Sequence, residues 1–331
     1  MNGPGAGVPA APIRPPTNDA DLPRFIADLD IPGLVDMHVH FLPARMLEKV
    51  WAYFDDAEEH YGLRWPIRYR WDQPARVDFL RNAGVLRFAP LVYPHKPGMA
   101  RWLNEWVNAF VESTPEAVPT ATMYPEPDVV EYLGEALDAG VRVVKMHVQV
   151  GAFDPRDRLL QPAWEMLAAA GIPVVAHCGH GPARGAHTGI DVIGEVLRVH
   201  PGLTLVLAHA GMPDYDDSLR LVDAYERVYL DTTMVGTAFT ESHAPLPADW
   251  PARLAAVTDR VVLGSDFPHL PYAYAEQIRA IAGWAAADER LGVPFLRSVL
   301  HDAPARLLGL DESVQASGGG TPADGGETHA G

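Results

Sequence analysis

Leu34-Val-Asp-Met-His-Val-His-Phe41 is the stretch from which the fold and chemistry of this 331-residue chain are read. The run of apolar and β-branched residues predicts a strand, on which successive side chains point to opposite faces. Asp36, His38 and His40 are then expected on one face, and Val35, Met37 and Val39 on the other. Two neutral imidazoles facing the same way from a rigid strand can each give a lone pair to a divalent cation, which makes half of a metal site. A lone His-x-His pair is as readily satisfied by backbone carbonyls, so further ligands must come from elsewhere in the chain.

Working outward, Leu42 to Asp72 is an insert carrying Trp51, Tyr53, Phe54, Tyr61, Trp65, Tyr69 and Trp71. So many aromatics in one connection serve equally as a lid over a pocket, as extra helices packed outside, or as a homodimer contact. Beyond it the chain alternates. Helical spacing over Pro74–Ala83, Met99–Val111, Asp128–Ala139, Gln161–Ala170, Ile190–His200, Tyr215–Arg227 and Pro251–Val257 separates strand-like runs, with Gly140 and Gly171 as helix stops. The runs are Val85–Tyr93, Pro119–Tyr124, Val141–Val150, Ile172–Cys178, Leu203–Ala208, Val228–Thr232 and Arg260–Gly264. Helices over Tyr272–Ala286 and Pro294–Leu308 finish the folded part.

Strand-helix alternation implies a parallel sheet, and eight such units in roughly 280 residues fit a closed (β/α)8 TIM barrel better than two open sheets. No glycine-rich phosphate fingerprint follows any strand, which weakens a dinucleotide-binding fold. In a barrel the chemistry sits at the carboxyl ends of the strands. There the fourth strand turns Val143, Lys145, His147 and Gln149 inward, and a buried lysine is rare unless paired. The fifth ends with His177 inward and Cys178 turned to the helices as a packing residue, and the sixth with His209 inward after Leu205 and Leu207. The eighth ends with Asp266 inward after Gly264, while Asp231, ending the seventh, either orients a ligand histidine or caps a helix. Packing alone does not explain four apolar strands that end in His or Asp.

Composition narrows the function. A net charge of −17 opposes a phosphate-backbone partner, so no nucleic acid is expected. A single cysteine, Cys178, rules out an intramolecular disulfide and suits a reducing compartment. No signal-like or membrane-length apolar run is seen, so a soluble, cytoplasmic protein acting on a small molecule is expected. Residues 1–20 and 311–331 read as mobile tails flanking one barrel domain over 21–310, with the insert at 42–72.

His38-x-His40, His177, His209 and Asp266, in that order, resemble the amidohydrolase superfamily of metal-dependent barrels. The Asp36-Met-His-Val-His opening, the Val-Lys-Met-His of strand four and the Gly-Ser-Asp-Phe-Pro of strand eight are similar to its amidohydrolase-related branch, which includes aminocarboxymuconate semialdehyde decarboxylase-like enzymes as well as hydrolases and hydratases. The resemblance implies a mononuclear metal, zinc or manganese, on His38, His40, His177 and Asp266, with His209 beside it to activate or orient water. In the hydrolytic scheme it implies, Asp266 shuttles the proton and His209 stabilises an oxyanion; in a non-oxidative decarboxylase of an aromatic or unsaturated acid, His209 acts as base. Lys145 departs from a clean match, since binuclear members of the superfamily carry a bridging lysine on strand four and the decarboxylase subgroup lacks one. Carboxylated, Lys145 would bridge a second metal; otherwise it pairs with Asp266 or a substrate carboxylate, and His147 beside it is a possible metal-bridging or substrate-binding residue. Arg184, His180, Tyr93 and His269 are candidate contacts to a polar or carboxylated substrate, Arg184 because its guanidinium can fork onto a carboxylate. A hydrolase is the leading expectation, and a catalytically silent metal- or ligand-binding barrel is the rival of another class.

Overall fold

The computed structural model describes residues 13–310. Each short run of β-branched and apolar residues becomes a strand buried along nearly its whole length: β1 (Leu34–Val39), β2 (Val85–Pro90), β3 (Thr120–Thr122), β4 (Val143–His147), β5 (Val174–His177), β6 (Leu205–Leu207), β7 (Val228–Asp231) and β8 (Val261–Val262). All neighbouring pairs run parallel. β1–β2 and β3–β8 form two ladders, and backbone hydrogen bonds stitch both seams. Val118 N donates to Phe88 O at 2.9 Å on one side; Met37 N donates to Leu263 O at 2.9 Å and Asp266 N to His38 O at 2.8 Å on the other. The result is a (β/α)8 TIM barrel, in which no strand keeps a free edge.

Helices wrap the strands: α1 (Leu22–Asp28), α2 (Ala44–Asp55), α3 (Ala57–Tyr61), α4 (Gln73–Asn82), α5 (Ala100–Glu112), α6 (Val129–Asp138), α7 (Val148–Gly151), α8 (Gln161–Ala170), α9 (Ile190–Val199), α10 (Tyr215–Ala224), α11 (Ala238–Glu241), α12 (Trp250–Leu254), α13 (Tyr274–Ala287), α14 (Gly292–Arg297) and α15 (Ala303–Leu307). Their apolar stripes explain the docking. On α5, Ala100, Leu103, Val107 and Phe110 are buried at helical spacing while Trp102 stays exposed. Beneath the barrel mouth, Val143, Val175, Val206 and Val262 pack with Val35 and Met37; Val144, Met146, Leu205 and Leu207 pack with the helices. Among the described residues, no helix is long and apolar enough to cross a membrane.

Regular alternation fails at three places. β4 stops at His147 instead of running to Val150, because the His147 ring accepts the Val150 N–H and caps α7; Gln149 therefore leaves the strand and bonds Ala183 O at 2.7 Å. On β6 it is Val206 and Ala208, not Leu205 and Leu207, that pack with the interior valines. His209 reaches the mouth because the chain turns left-handed at His209 (φ 56°) and Ala210 (φ 48°). On β1, Asp36 does not join the two histidines: its carboxylate accepts from His38 N at 3.0 Å and from the Tyr274 hydroxyl at 2.8 Å, where the β1–β2 register shifts.

The last expected helix is also broken, into α14, a π turn over Ser298–Asp302 and α15, with Val299 O freed to accept from Leu263 N. Of the expected tails, residues 1–12 and 311–331 lie outside the described residues. Residues 13–20 are described, and their end is tied down: Asp19 accepts from the Tyr69 hydroxyl at 2.6 Å and from Ala275 N at 2.8 Å.

Candidate metal and substrate site

What stands behind each imidazole at the mouth fixes which nitrogen carries its proton. His38 Nδ1 lies 2.6 Å from Asp231 Oδ2, while Asp231 Oδ1 accepts from Thr233 N and the Thr233 hydroxyl. Burial pushes the Asp231 carboxyl up, and those hydrogen bonds from Thr233 hold it back. His40 Nδ1 lies 2.8 Å from Leu91 O, which can only accept. Both rings thus spend their protons on Nδ1 and turn Nε2 lone pairs toward each other, 3.2 Å apart. Asp266 Oδ1 joins them, 3.1 Å from His40 Nε2 and 3.7 Å from His38 Nε2.

Asp266 is buried beside the rings of His40, His209 and His269. Its backbone sits at φ 71°, a strained conformation of the kind that gathers at functional sites. Three electron-rich atoms within 4.8 Å of one another, all buried, are reconciled by a cation. The donor set of two imidazole nitrogens and a carboxylate suits a divalent transition metal, so the residues present fit such an ion.

His177 stands outside this cluster. Its Nε2 donates to Gly181 O at 2.9 Å, which leaves Nδ1 as its lone pair, and its ring stacks on His147 with centroids 4.0 Å apart. His209 Nδ1 lies 3.2 Å from Thr233 O, so its Nε2 is also an acceptor; the ring meets His177 edge-on at 4.6 Å. Burial lowers His209 to about 4 and His269 to about 3, and holds His38, His147 and His177 well below the ordinary histidine value. These five rings are neutral at pH 7.

Lys145 is fully buried, with Nζ 3.0 Å from His38 Nε2. It makes no ion pair with Asp266 and does not line the cavity, which corrects two of its expected partners; the side chain ends one layer below the open space. Burial pulls its amine down. Cys178 is a buried packing residue whose thiol is pushed up to about 12 by burial.

Above the cluster opens a cavity of about 480 Å³. His40, Tyr93, His147, His177, His209, Asp266 and His269 form its floor, and Tyr53, Phe54, Tyr61 and Trp65 of the insert form much of its wall. Of the three uses expected for the insert, the structure shows the wall of a pocket: Trp65 Nε1 donates to His269 O at 2.7 Å, which fixes it over the mouth. Tyr93 and His269 line the cavity, with His269 stacked on His40 at 5.3 Å. His180 and Arg184 do not. His180 is bonded to Asp214 at 2.5 Å, and Arg184 is exposed on a loop that does not line the cavity.

Residues 35–310 match the family model described as amidohydrolase. The chain belongs to the amidohydrolase family. No curated protein matches it in sequence. Among solved structures, an uncharacterised TIM-barrel protein from Bordetella bronchiseptica shares 20% identity and a TM-score of 0.65, over 84% of this chain and 98% of that one. An amidohydrolase from Burkholderia multivorans with bound zinc shares 18% identity and a TM-score of 0.58, over 84% and 99%. The 5-carboxyvanillate decarboxylase of Sphingomonas paucimobilis shares 15% identity and a TM-score of 0.55, over 84% and 99%. At these identities the likeness is one of fold. Family and neighbours are enzymes, and they do not share one reaction. Within this amidohydrolase barrel, sequence reasoning missed Thr233 and Leu91 O; Thr233, two residues beyond Asp231, was the one with a readable spacing.

Proposed function

We propose that this amidohydrolase is a metal-dependent hydrolase of a small carboxylated compound, working with one divalent ion. The convergence of His38 Nε2, His40 Nε2 and Asp266 Oδ1 at the floor of the cavity carries that reading. These three would hold the ion, and zinc suits the set. When bound, such an ion supplies Lewis acidity toward a substrate oxygen.

The protein's own groups supply the rest. Asp266 turns Oδ1 to His40, which leaves Oδ2 to take a proton from the attacking water and return it to the leaving group. His209, neutral and with its proton spent on Thr233 O, accepts a hydrogen from that water and orients it. Stabilising an oxyanion would need a proton on Nε2, so the structure favours His209 as acceptor over the donor role expected from sequence. Tyr53, Phe54, Tyr61 and Trp65 give the reacting atoms an apolar wall.

The same wall favours a second reading, a non-oxidative decarboxylase of an aromatic acid, in which His209 is the base. Likeness to a decarboxylase of a carboxylated aromatic supports it. Parallel assays for ester or lactone hydrolysis and for carbon dioxide release from aromatic acids separate the two. In whichever reaction is found, His40→Ala and Asp266→Asn are expected to abolish turnover without unfolding the barrel. Full turnover in both variants would leave only a binding role for the site.

A further inference from the structure

His147 ends β4, is 8% exposed, and lines the cavity. Its Nδ1 accepts the Val150 N–H at 3.3 Å, so the proton of the neutral ring is on Nε2. Stacking on His177 and contact with Tyr93, centroids 5.0 Å apart, hold the ring plane. With Nδ1 turned to the backbone of α7, Nε2 on the other side of the ring is left toward the open space, and among the described residues it has no protein acceptor. The neighbouring rings are spent: His38, His40 and His209 present lone pairs at Nε2, and His177 gives its proton to Gly181 O. Of these five histidines, His147 alone offers an N–H to a ligand; His269, also on the floor, has an Nε2 that is buried without a hydrogen-bond partner.

The surrounding charge says what kind of ligand. In a chain of net charge −17, Asp266 is, among the described residues, the sole carboxylate lining the cavity. Lys49 of α2 lines the mouth with no partner among the described residues. Behind the aromatic wall, Arg76 is buried over the Phe41 ring at 4.8 Å with Nη1 unbonded, and its charge reaches His269. A neutral donor in a positively biased, largely apolar pocket matches an anionic oxygen on an apolar body.

We propose that His147 is a substrate-binding residue whose Nε2–H donates to a carboxylate oxygen of an acid with an aromatic or otherwise apolar body. The proposal rests on the cavity being the active site, as argued above, and names the group that recognises the acid.

Benzoate and benzamide are suitable probes, titrated calorimetrically into the full-length enzyme. His147→Gln restores an amide N–H near the Nε2 position; His147→Phe keeps the ring stack and removes both nitrogens. Benzoate affinity is expected to fall about tenfold or more in His147→Phe, the size of one hydrogen bond to a charged group, and to stay within about threefold in His147→Gln. Benzamide binding should change little in either. Benzoate binding equally tight in His147→Phe and wild type, equal loss in both variants, or no benzoate binding by wild type overturns the proposal. Should His147→Phe not fold, histidine nitrogen NMR of the wild type decides. An Nε2–H tautomer at His147 whose proton signal moves on benzoate addition supports it, and an Nδ1–H tautomer or an unmoved signal overturns it. Repeating the titration on chelator-treated enzyme keeps the two readings apart. His147-dependent binding without metal upholds this inference even if the metal reading fails, and His147-independent binding to metal-containing enzyme defeats this inference alone.

Discussion

His38 owes its orientation to Asp231, a residue 193 positions away. The carboxylate accepts the Nδ1–H, and Thr233 bonds the opposite carboxylate oxygen, so the Nε2 lone pair of His38 faces Lys145, His40 and Asp266. Groups that orient a metal-binding histidine typically matter about 10- to 100-fold in metal affinity. Asp231→Asn is therefore expected to weaken metal binding by about that factor while the three ligands remain, measured by competition with a chelator. Unchanged affinity would mean that Asp231 does not set the His38 tautomer. From sequence Asp231 was ambiguous between this role and a helix cap, because the partner that decides it, His38, lies across the barrel. Arg184 is a related case: loop residues carry no period, so nothing in the spacing showed that it does not line the cavity.

At the scale of the element, period-two alternation read β4 and β5 correctly for Val143, Lys145, His147, Val175 and His177. It failed for Asp36 and for the residues before His209, where the register shifts or the backbone turns left-handed. Neither irregularity leaves a compositional mark. Ala210 holds a φ of 48° where glycine is the ordinary choice. Gly264, which precedes Asp266 on the way out of β8, has a clearer constraint: a Cβ there would collide with the Asp231 carboxylate and the Thr233 hydroxyl. Gly264→Ala is expected to destabilise the enzyme by about 1–3 kcal/mol through overpacking and to lower metal affinity with it. Denaturant unfolding and the chelator competition check both effects, and a stable variant with normal affinity would show that Asp231 has room to move. The insert was legible as aromatic-rich, but its place over the mouth depends on the Trp65 bond to the backbone carbonyl of His269, which no local pattern encodes.

For the whole molecule, burying so many titratable groups in one mouth makes stability depend on pH. His209 and His269, lowered to about 4 and about 3, and His38, His147 and His177, held by burial well below the ordinary histidine value, stay unprotonated in the native state. The unfolded chain takes up protons at these rings below about pH 6.5, so stability is lost as pH falls from there toward 4. Asp36, raised to about 6 by burial, and Asp231, also raised, act the opposite way, since the native state binds their protons more readily. Five rings against two carboxyls give a net loss. The thermal midpoint of chelator-treated enzyme is expected to fall between pH 7 and 5; a midpoint that rises on acidification would contradict the buried neutral histidines. The barrel itself was legible from strand-helix alternation, because each unit carries its own period, whereas the charge state of the mouth emerges only when eight strand ends meet. Elemental mass spectrometry of enzyme purified without chelator tests the central claim most directly. About one zinc or manganese per chain is expected from the His38, His40 and Asp266 cluster. No metal even after reconstitution, or two per chain, would contradict a single-ion site.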